Sequence, residues 1–443
     1  MARRSYPAAD EGEGSRLVRI VEVRERGGVA LLQAEWRALQ ARCPAATPFQ
    51  TWEWNEAWWR HFGGRKRLRL LLFRTGRGGH SEYGSHSAGE LVGIAPLYTS
   101  WHLGTPLRRL AWMGTGSSDY LGPLALPEYA EEVASALLAY LDRGLRGWDI
   151  ADLQQLRPDS PLMAHAEHPW PDRPSEAQAA LPMEPCPYLP LPDTWEAFSQ
   201  RLSKKMRSNL GYYERLAAKT FPDSRTLLAD AATLDAGMTA LFELHQKRWN
   251  ARWLPGVLGS KKVQAFHREV AARFLEQGWL RLHLMQVEGA FRSALYCYAY
   301  GGRTYYYLGG FAPELAKYSL GTLLTMRAIQ QAIAEGHTEF DFLRGRESYK
   351  YRWLPEERMN SRLLLLRSRD KLGGLGELPG RAGFALHRVE RYVVHHAKAF
   401  AEQQARKGQE KESRSASGTA ENVPLIQALA LARKRKETEA RPR

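Results

Sequence analysis

Cysteine is scarce in this chain, with only Cys43, Cys186 and Cys297 among 443 residues. The number is odd, the spacing is wide, and no CxxC or Cys/His cluster accompanies them. Neither a disulfide framework nor a zinc site is indicated, and no metal is expected. No apolar run approaches the ~18 residues that a membrane-spanning helix needs. Arg3 and Arg4 are not followed by an apolar stretch, so the N-terminus does not read as a secretory signal. These absences lead to the expectation of a reduced, cytoplasmic protein. Acidic residues are outnumbered too: 48 Asp+Glu face 63 Lys+Arg, a formal charge of +15. A balance this basic suits nucleic acid, phosphorylated cofactors or a membrane surface without choosing among them.

What is present is the composition of a globular chain, 44% hydrophobic and 25% charged. That excludes a mainly disordered or collagen-like protein. At about 150 residues per domain the length allows two or three domains. Residues 1–15 are polar and Gly-rich and read as a leader without structure. Over 16–157 the pattern is a strand at 17–23, a Trp-rich helix at 47–62 that Thr51 can cap, and strands at 67–74, 90–101 and 110–114. A helix at 129–145 and a strand at 148–156 follow. The stretch 76–89 reads as a hairpin loop. A Pro-rich segment, 158–192, is the candidate linker.

The order then repeats on a larger scale over 193–370. Helices are expected at 195–219, 233–249 and 261–277, and strands at 279–287, 291–300 and 304–311. A helix at 319–335 and a strand at 338–343 close the repeat. A helical extension covers 371–404 and a basic tail without structure covers 405–443. The fold class is therefore α/β, with mixed sheets flanked by helices.

Hairpin, loop, helix and strand in this order form a layout suited to acyl-CoA. A diphosphate needs backbone N–H donors and a positive dipole, and a helix N-terminus supplies both. Here Lys317, Tyr318, Ser319, Gly321 and Thr322 lie on the loop opening the 319–335 helix. Gly321 would let the backbone approach a phosphate, and Lys317 adds charge. The plainer reading makes Ser319 a helix cap and Gly321 incidental. Gly309-Gly310 would form a bulge that parts the third strand from the next, leaving a slot for pantetheine.

Five stretches carry a family resemblance: Pro48-Phe49-Gln50-Thr51-Trp52-Glu53-Trp54, Ser118-Asp119-Tyr120-Leu121-Gly122-Pro123-Leu124, Tyr318-Ser319-Leu320-Gly321-Thr322, Phe340-Asp341-Phe342-Leu343-Arg344-Gly345, and Tyr349-Lys350-Tyr351-Arg352-Trp353. The chain resembles the CelD-like acetyltransferases, a branch of the GNAT acyl-CoA N-acyltransferases with two tandem GNAT-like folds. That arrangement is shared with the Fem aminoacyltransferases. The resemblance implies acetyl-CoA as co-substrate and an amine or amino-sugar acceptor, with a degenerate first copy walling the acceptor groove. The usual GNAT phosphate loop reads Gln/Arg-x-x-Gly-x-Gly/Ala. In this chain Tyr318 stands at its first place, Gly321 matches, and Leu323 fills the small-residue place. CoA binding is thus implied by the resemblance and not by the motif.

The same resemblance points to Tyr349 as the acid that protonates the leaving thiolate, with Tyr351 second. A phenol near pKa 10 suits that donation; the alternative is a packing tyrosine. Asp341 is the candidate base or substrate contact, and Glu347 the next. Arg344 and Lys350 would bind an anionic group, Arg344 because its planar fork fits phosphate or carboxylate. Ser118, Asp119 and Tyr120 would line the acceptor groove, or simply form a turn. His283 reads as a surface histidine on the polar face of its strand. Lys204, Lys205 and Arg207 read as a solvated helix face, with a phosphate-rich ligand as the alternative. Trp52, Trp54, Trp58 and Trp59 read as core.

Two competing functions stay open at this point. One is a Fem-like transferase using aminoacyl-tRNA, which the charge would suit. The other is a non-catalytic accessory protein of an exopolysaccharide machine, its basic tail touching an anionic membrane or a synthase complex. No DNA partner is expected, and the oligomeric state is left open.

Overall fold

A computed structural model describes residues 18–76, 89–102, 107–166, 178–250 and 257–367. The expectations for the leader, most of the 76–89 loop, the 371–404 extension and the basic tail lie outside these residues. The chain divides into two compact units. Among the described residues the first takes those up to Met183 together with those from Met359 onward, and the second takes Glu184–Arg358.

In the first unit the strands are β1 (Val18–Val23), β2 (Arg67–Thr75), β3 (Leu91–Trp101), β4 (Arg108–Trp112), β5 (Leu124–Ala125) and β6 (Ile150–Leu156). The helices are α1 (Gly28–Leu31), α2 (Gln33–Ala41), α3 (Trp52–Phe62), α4 (Ala130–Ala139) and α5 (Pro161–Ala166). β1 to β4 pair antiparallel in chain order, and β4 meets β6 in parallel. The expected helix, three strands, helix and strand form in that order, and α1, α2 and β5 form in addition to them. Thr51 caps α3, its hydroxyl accepting from the Trp54 amide. Trp52, Trp54, Trp58 and Trp59 are all buried, as read.

The second unit holds most of β7 (Gln178–Pro190), then α6 (Trp195–Arg201), α7 (Lys204–Thr220), β8 (Arg225–Leu228), α8 (Leu234–Asn250), α9 (Lys261–Glu276), β9 (Leu280–Val287), β10 (Ala290–Tyr300), β11 (Arg303–Phe311), α10 (Leu320–Ala334), β12 (Glu339–Asp341) and α11 (Ser348–Tyr351). The chain then enters β13 (Glu356–Leu366), whose last residues pair with β6 in the first unit. The order across the second unit's sheet is β7-β12-β11-β10-β9-β8. β11 and β12 are parallel, joined by α10, and the other pairs are antiparallel.

Three sequence readings change here. The helix expected over 195–219 is two helices, because Ser203 caps the second by accepting from the Met206 amide at 3.1 Å. Within the Pro-rich segment expected as a linker, 178–190 forms strand β7. Its prolines lack N–H donors but keep their carbonyls, and Pro185 and Pro187 use theirs as acceptors for Gly345 and Phe342. His283 is not a surface residue: β8, which the sequence did not announce, pairs beside it through Leu228, and it is buried.

Period-two alternation places Leu295, Cys297 and Tyr306 on one face of the sheet. There they join Leu210, Ala217, Phe221, Leu323, Leu324, Ile329, Phe340 and Phe342 in one apolar core under α7 and α10. On the opposite face Tyr296 and Tyr298 pack against His267 and Phe274 of α9.

Candidate active site

The site is built where β11 and β12 part. They pair at only three positions, Arg303 with Glu339, Thr304 with Phe340 and Tyr305 with Asp341. Beyond Asp341 the chain leaves β11 and follows β7 instead. The Phe342 amide donates to Pro187 O and the Gly345 amide to Pro185 O, both at 2.9 Å. Residues 306–311 therefore run on without β12 beside them. The bulge that accompanies this falls at Tyr307, where the register jumps from Tyr296–Leu308 to Cys297–Tyr306. It does not fall at Gly309-Gly310 as expected. Those glycines serve packing: a Cβ on Gly309 would lie 2.5 Å from the Tyr306 hydroxyl, and one on Gly310 would lie 2.7 Å from the His245 amide nitrogen of α8.

The turn away from β11 is held by three of the residues singled out from sequence. Asp341 is fully buried and accepts from the Leu343 amide at 2.7 Å, fixing Leu343 in the left-handed region at φ 58°. Lys350, 3% exposed, directs its ammonium onto the carbonyls of Leu343 (3.1 Å), Arg344 (2.8 Å) and Gly345 (3.3 Å). It also pairs with Glu347 at 2.8 Å. The substrate-binding role expected of Lys350 is thereby corrected, because the loop carbonyls and Glu347 already surround its ammonium. Asp341 and Glu347 likewise help to shape the loop. Arg344 is carried half-buried on that loop.

The root of the cleft is aromatic. Tyr306 lies 5.9 Å from Phe342 and 5.9 Å from Tyr349, centroid to centroid, and Tyr349 is half-buried at the rim. Tyr351 is occupied elsewhere, donating to Glu357, and burial together with that carboxylate pushes its phenol up to about 12.

On the other side, the 3₁₀ turn Pro313–Tyr318 leads into α10 through Ser319, which is left-handed at φ 51°. Its hydroxyl makes no capping bond; its carbonyl accepts from Thr322 at 2.9 Å and Leu323 at 3.1 Å. In a helix the first amides have no intrahelical acceptor, and Leu320 and Gly321 occupy that place. Ser319, Gly321 and Thr322 are half-exposed, so the mouth is not plugged. Packing does not require glycine at 321, since a Cβ there would meet the Phe311 ring at an ordinary contact distance of 3.4 Å. The Lys317 ammonium sits 4.9 Å over the Tyr318 ring. Tyr318 is corrected to a core residue, buried against Phe221 at 4.7 Å.

Ser118, Asp119 and Tyr120 belong to the first unit and are buried, so they do not line an open groove. Ser118 Oγ accepts from the Trp54 indole at 2.8 Å, and Arg157 lies over the Tyr120 ring. Ser118→Ala is expected to cost about 1–2 kcal/mol by removing that acceptor. A denaturant titration checks it, and a loss below ~0.3 kcal/mol would refute the assignment. Among the described residues no group of three or more His, Cys, Asp or Glu side chains is placed to hold a metal, and no helix is long and apolar enough to cross a membrane.

Against known proteins, residues 204–351 match the family model described as the acetyltransferase (GNAT) domain. The fold is similar to that of FemX, at 12% identity over 74% of this chain and 95% of that one, with a TM-score of 0.53. The C-terminal domain of a putative lysylphosphatidylglycerol synthetase from Agrobacterium fabrum aligns at 10% identity over 77% and 93%, TM-score 0.46. A tandem GNAT protein from the clavulanic acid pathway aligns at 11% over 78% and 98%, TM-score 0.37. No curated protein matches the sequence. The second unit thus contains a stretch that matches a GNAT acetyltransferase domain, in an α/β fold similar to that of FemX.

Proposed function

We propose that the second unit transfers an acyl group, acetyl in the first instance, from acyl-CoA to an amine. An amino sugar is the first acceptor class to try, following the CelD-like resemblance. The observation that carries the reading is the parting of β11 from β12 beside the first turn of α10. The main-chain edge of 306–311 can pair with the amides of a pantetheine arm, and the α10 mouth with Lys317 can take the diphosphate. The amine, once deprotonated by solvent, attacks the thioester carbonyl; the C–N bond forms and the C–S bond breaks. Tyr349, at the rim of the cleft, returns a proton to the departing thiolate.

Acetyl-CoA is expected to raise the unfolding temperature, with ~2.7 kcal/mol of stabilisation at a hundredfold excess over Kd. Tyr349→Phe should keep that shift while thiol release with an amine panel falls ~100-fold. No shift with either acetyl-CoA or CoA at millimolar concentration sinks the reading. Stabilisation by aminoacyl-tRNA alone would replace it with the Fem-like one.

A further inference from the structure

We propose that a groove between α7, α10 and the β8–β9 edge binds a single-chain anionic amphiphile, its alkyl chain in the groove and its carboxylate or phosphate head at Arg327. This goes beyond the acyltransferase reading and uses none of its residues except the buried underside of α10.

Two adjoining hollows carry the inference. The first, about 310 Å³, has an apolar floor of Ala217, Phe221, Met285, Val287, Leu320 and Leu323, with Glu214, Ser224, Thr226 and Arg327 around it. The second, about 410 Å³, is lined by His283, Gln330 and Gln331 together with Leu227, Leu228 and Ala334. Thr226 and Arg327 line both hollows, so they mark the junction between the apolar part and the polar part. An apolar channel that ends on a guanidinium has the polarity of an amphiphile, chain first and head second.

The charge at the junction selects the sign of the head. No carboxylate lines the second hollow. Arg327 is half-exposed and is held by Glu214 at 2.8 Å, an exposed pair that costs little to exchange for another anion. His283 is neutral there, because burial brings its imidazole down to about 4. The exposed face of α7 carries Lys204, Lys205, Arg215 and Lys219, and Glu214, which lines the first hollow, is the single acid in the helix. Arg207 is not part of that face, since it folds back onto the Gln200 carbonyl at 3.1 Å.

The test uses the full chain with dodecanoate, dodecyl phosphate and uncharged dodecanol, below their aggregation thresholds, in calorimetric titrations. Inorganic phosphate and acetate serve as heads without chains. Saturable 1:1 binding of at least one charged probe is expected, tighter than dodecanol and absent for the bare heads. The tighter of the two charged probes identifies the head. Ala218 is exposed on the groove wall, so Ala218→Trp covers the opening without entering the core. It should weaken every chain-bearing probe at least tenfold. Arg327→Gln should weaken the charged probes at least threefold and leave dodecanol unchanged. Should Ala218→Trp fail to fold, the Arg327→Gln result decides alone. Binding that is absent, or that ignores these substitutions, overturns the proposal. The acetyl-CoA shift is measured in the same variants and should persist, so failure here leaves the acyltransferase reading standing.

Discussion

Lys350→Met is expected to destabilise the second unit by about 3–5 kcal/mol, the range found when one partner of a buried charge pair is removed. The ammonium answers three main-chain carbonyls and the Glu347 carboxylate at 2.8 to 3.3 Å in a site only 3% exposed. Methionine fills the space but donates nothing, so four acceptors lose their partner together. The loop is otherwise held by the Phe342 and Gly345 amides on β7 and by Asp341 on the Leu343 amide, and it contains Leu343 at φ 58° and Gly345 at φ 111°, a conformation for which glycine is the residue with no side-chain penalty. Without the latch, the segment carrying Arg344 and Tyr349 loses its path along β7. Urea unfolding followed by circular dichroism would read the loss, and a change under ~1 kcal/mol would refute it. A Lys350→Arg control separates charge from geometry. It keeps the charge, but its planar fork does not reproduce a tetrahedral ammonium reaching carbonyls on several sides.

This latch also marks how far sequence reading reached. Alternation over 280–287, 291–300 and 304–311, and the apolar stripe of the helix from Leu320, are local signals, and those elements form as expected. β8 is four residues long with an exposed burial pattern, so no periodicity could announce it. β7 was hidden by Pro182, Pro185, Pro187 and Pro190, which signal turns where they are local and say nothing of a neighbouring segment that needs only carbonyls.

The residues of the 341–350 stretch were correctly singled out, but their roles were not legible. Lys350 beside Tyr349 and Tyr351 reads as an accessible cation for an anionic substrate group, because lysine is rarely buried. What buries it is the convergence of carbonyls from residues 343–345, a property of the folded loop. Tyr307 illustrates the same limit. The run Tyr305-Tyr306-Tyr307 shows no break in sequence, and the extra residue appears only when β10 is laid against it. Where the reading relied on the resemblance and on residue type, as for Ser118, Asp119 and Tyr120, the residues are buried in the first unit, with Ser118 Oγ taken up by the Trp54 indole.

The largest response to solution conditions should come from two buried histidines. His267 is 1% exposed and His283 3%. Burial, with His245 nearby, brings the first down to about 3, and burial brings the second down to about 4 even with Glu335 acting in the opposite sense. Both are below the ordinary value of 6.5, so both are neutral in the folded state. As pH falls below 6.5 the unfolded chain takes up two protons that the folded chain accepts only near pH 3–4. Stability is therefore full above pH 6.5 and is lost downward through the window from 6.5 to about 3–4. Each histidine contributes a slope of ~1.4 kcal/mol per pH unit, which makes about 5 kcal/mol for the pair by pH 4.5. Carboxylates enter later. Burial acts to raise Asp152, but Arg109 and Arg362 overcome it and hold this carboxyl well below its usual range, so its contribution is lost only in stronger acid. Urea midpoints measured from pH 7.5 to 4.5 should fall steeply for the wild type and by about half as much, in free energy, for His267→Gln. A wild-type midpoint that stays flat across that window would show that neither imidazole is buried uncharged.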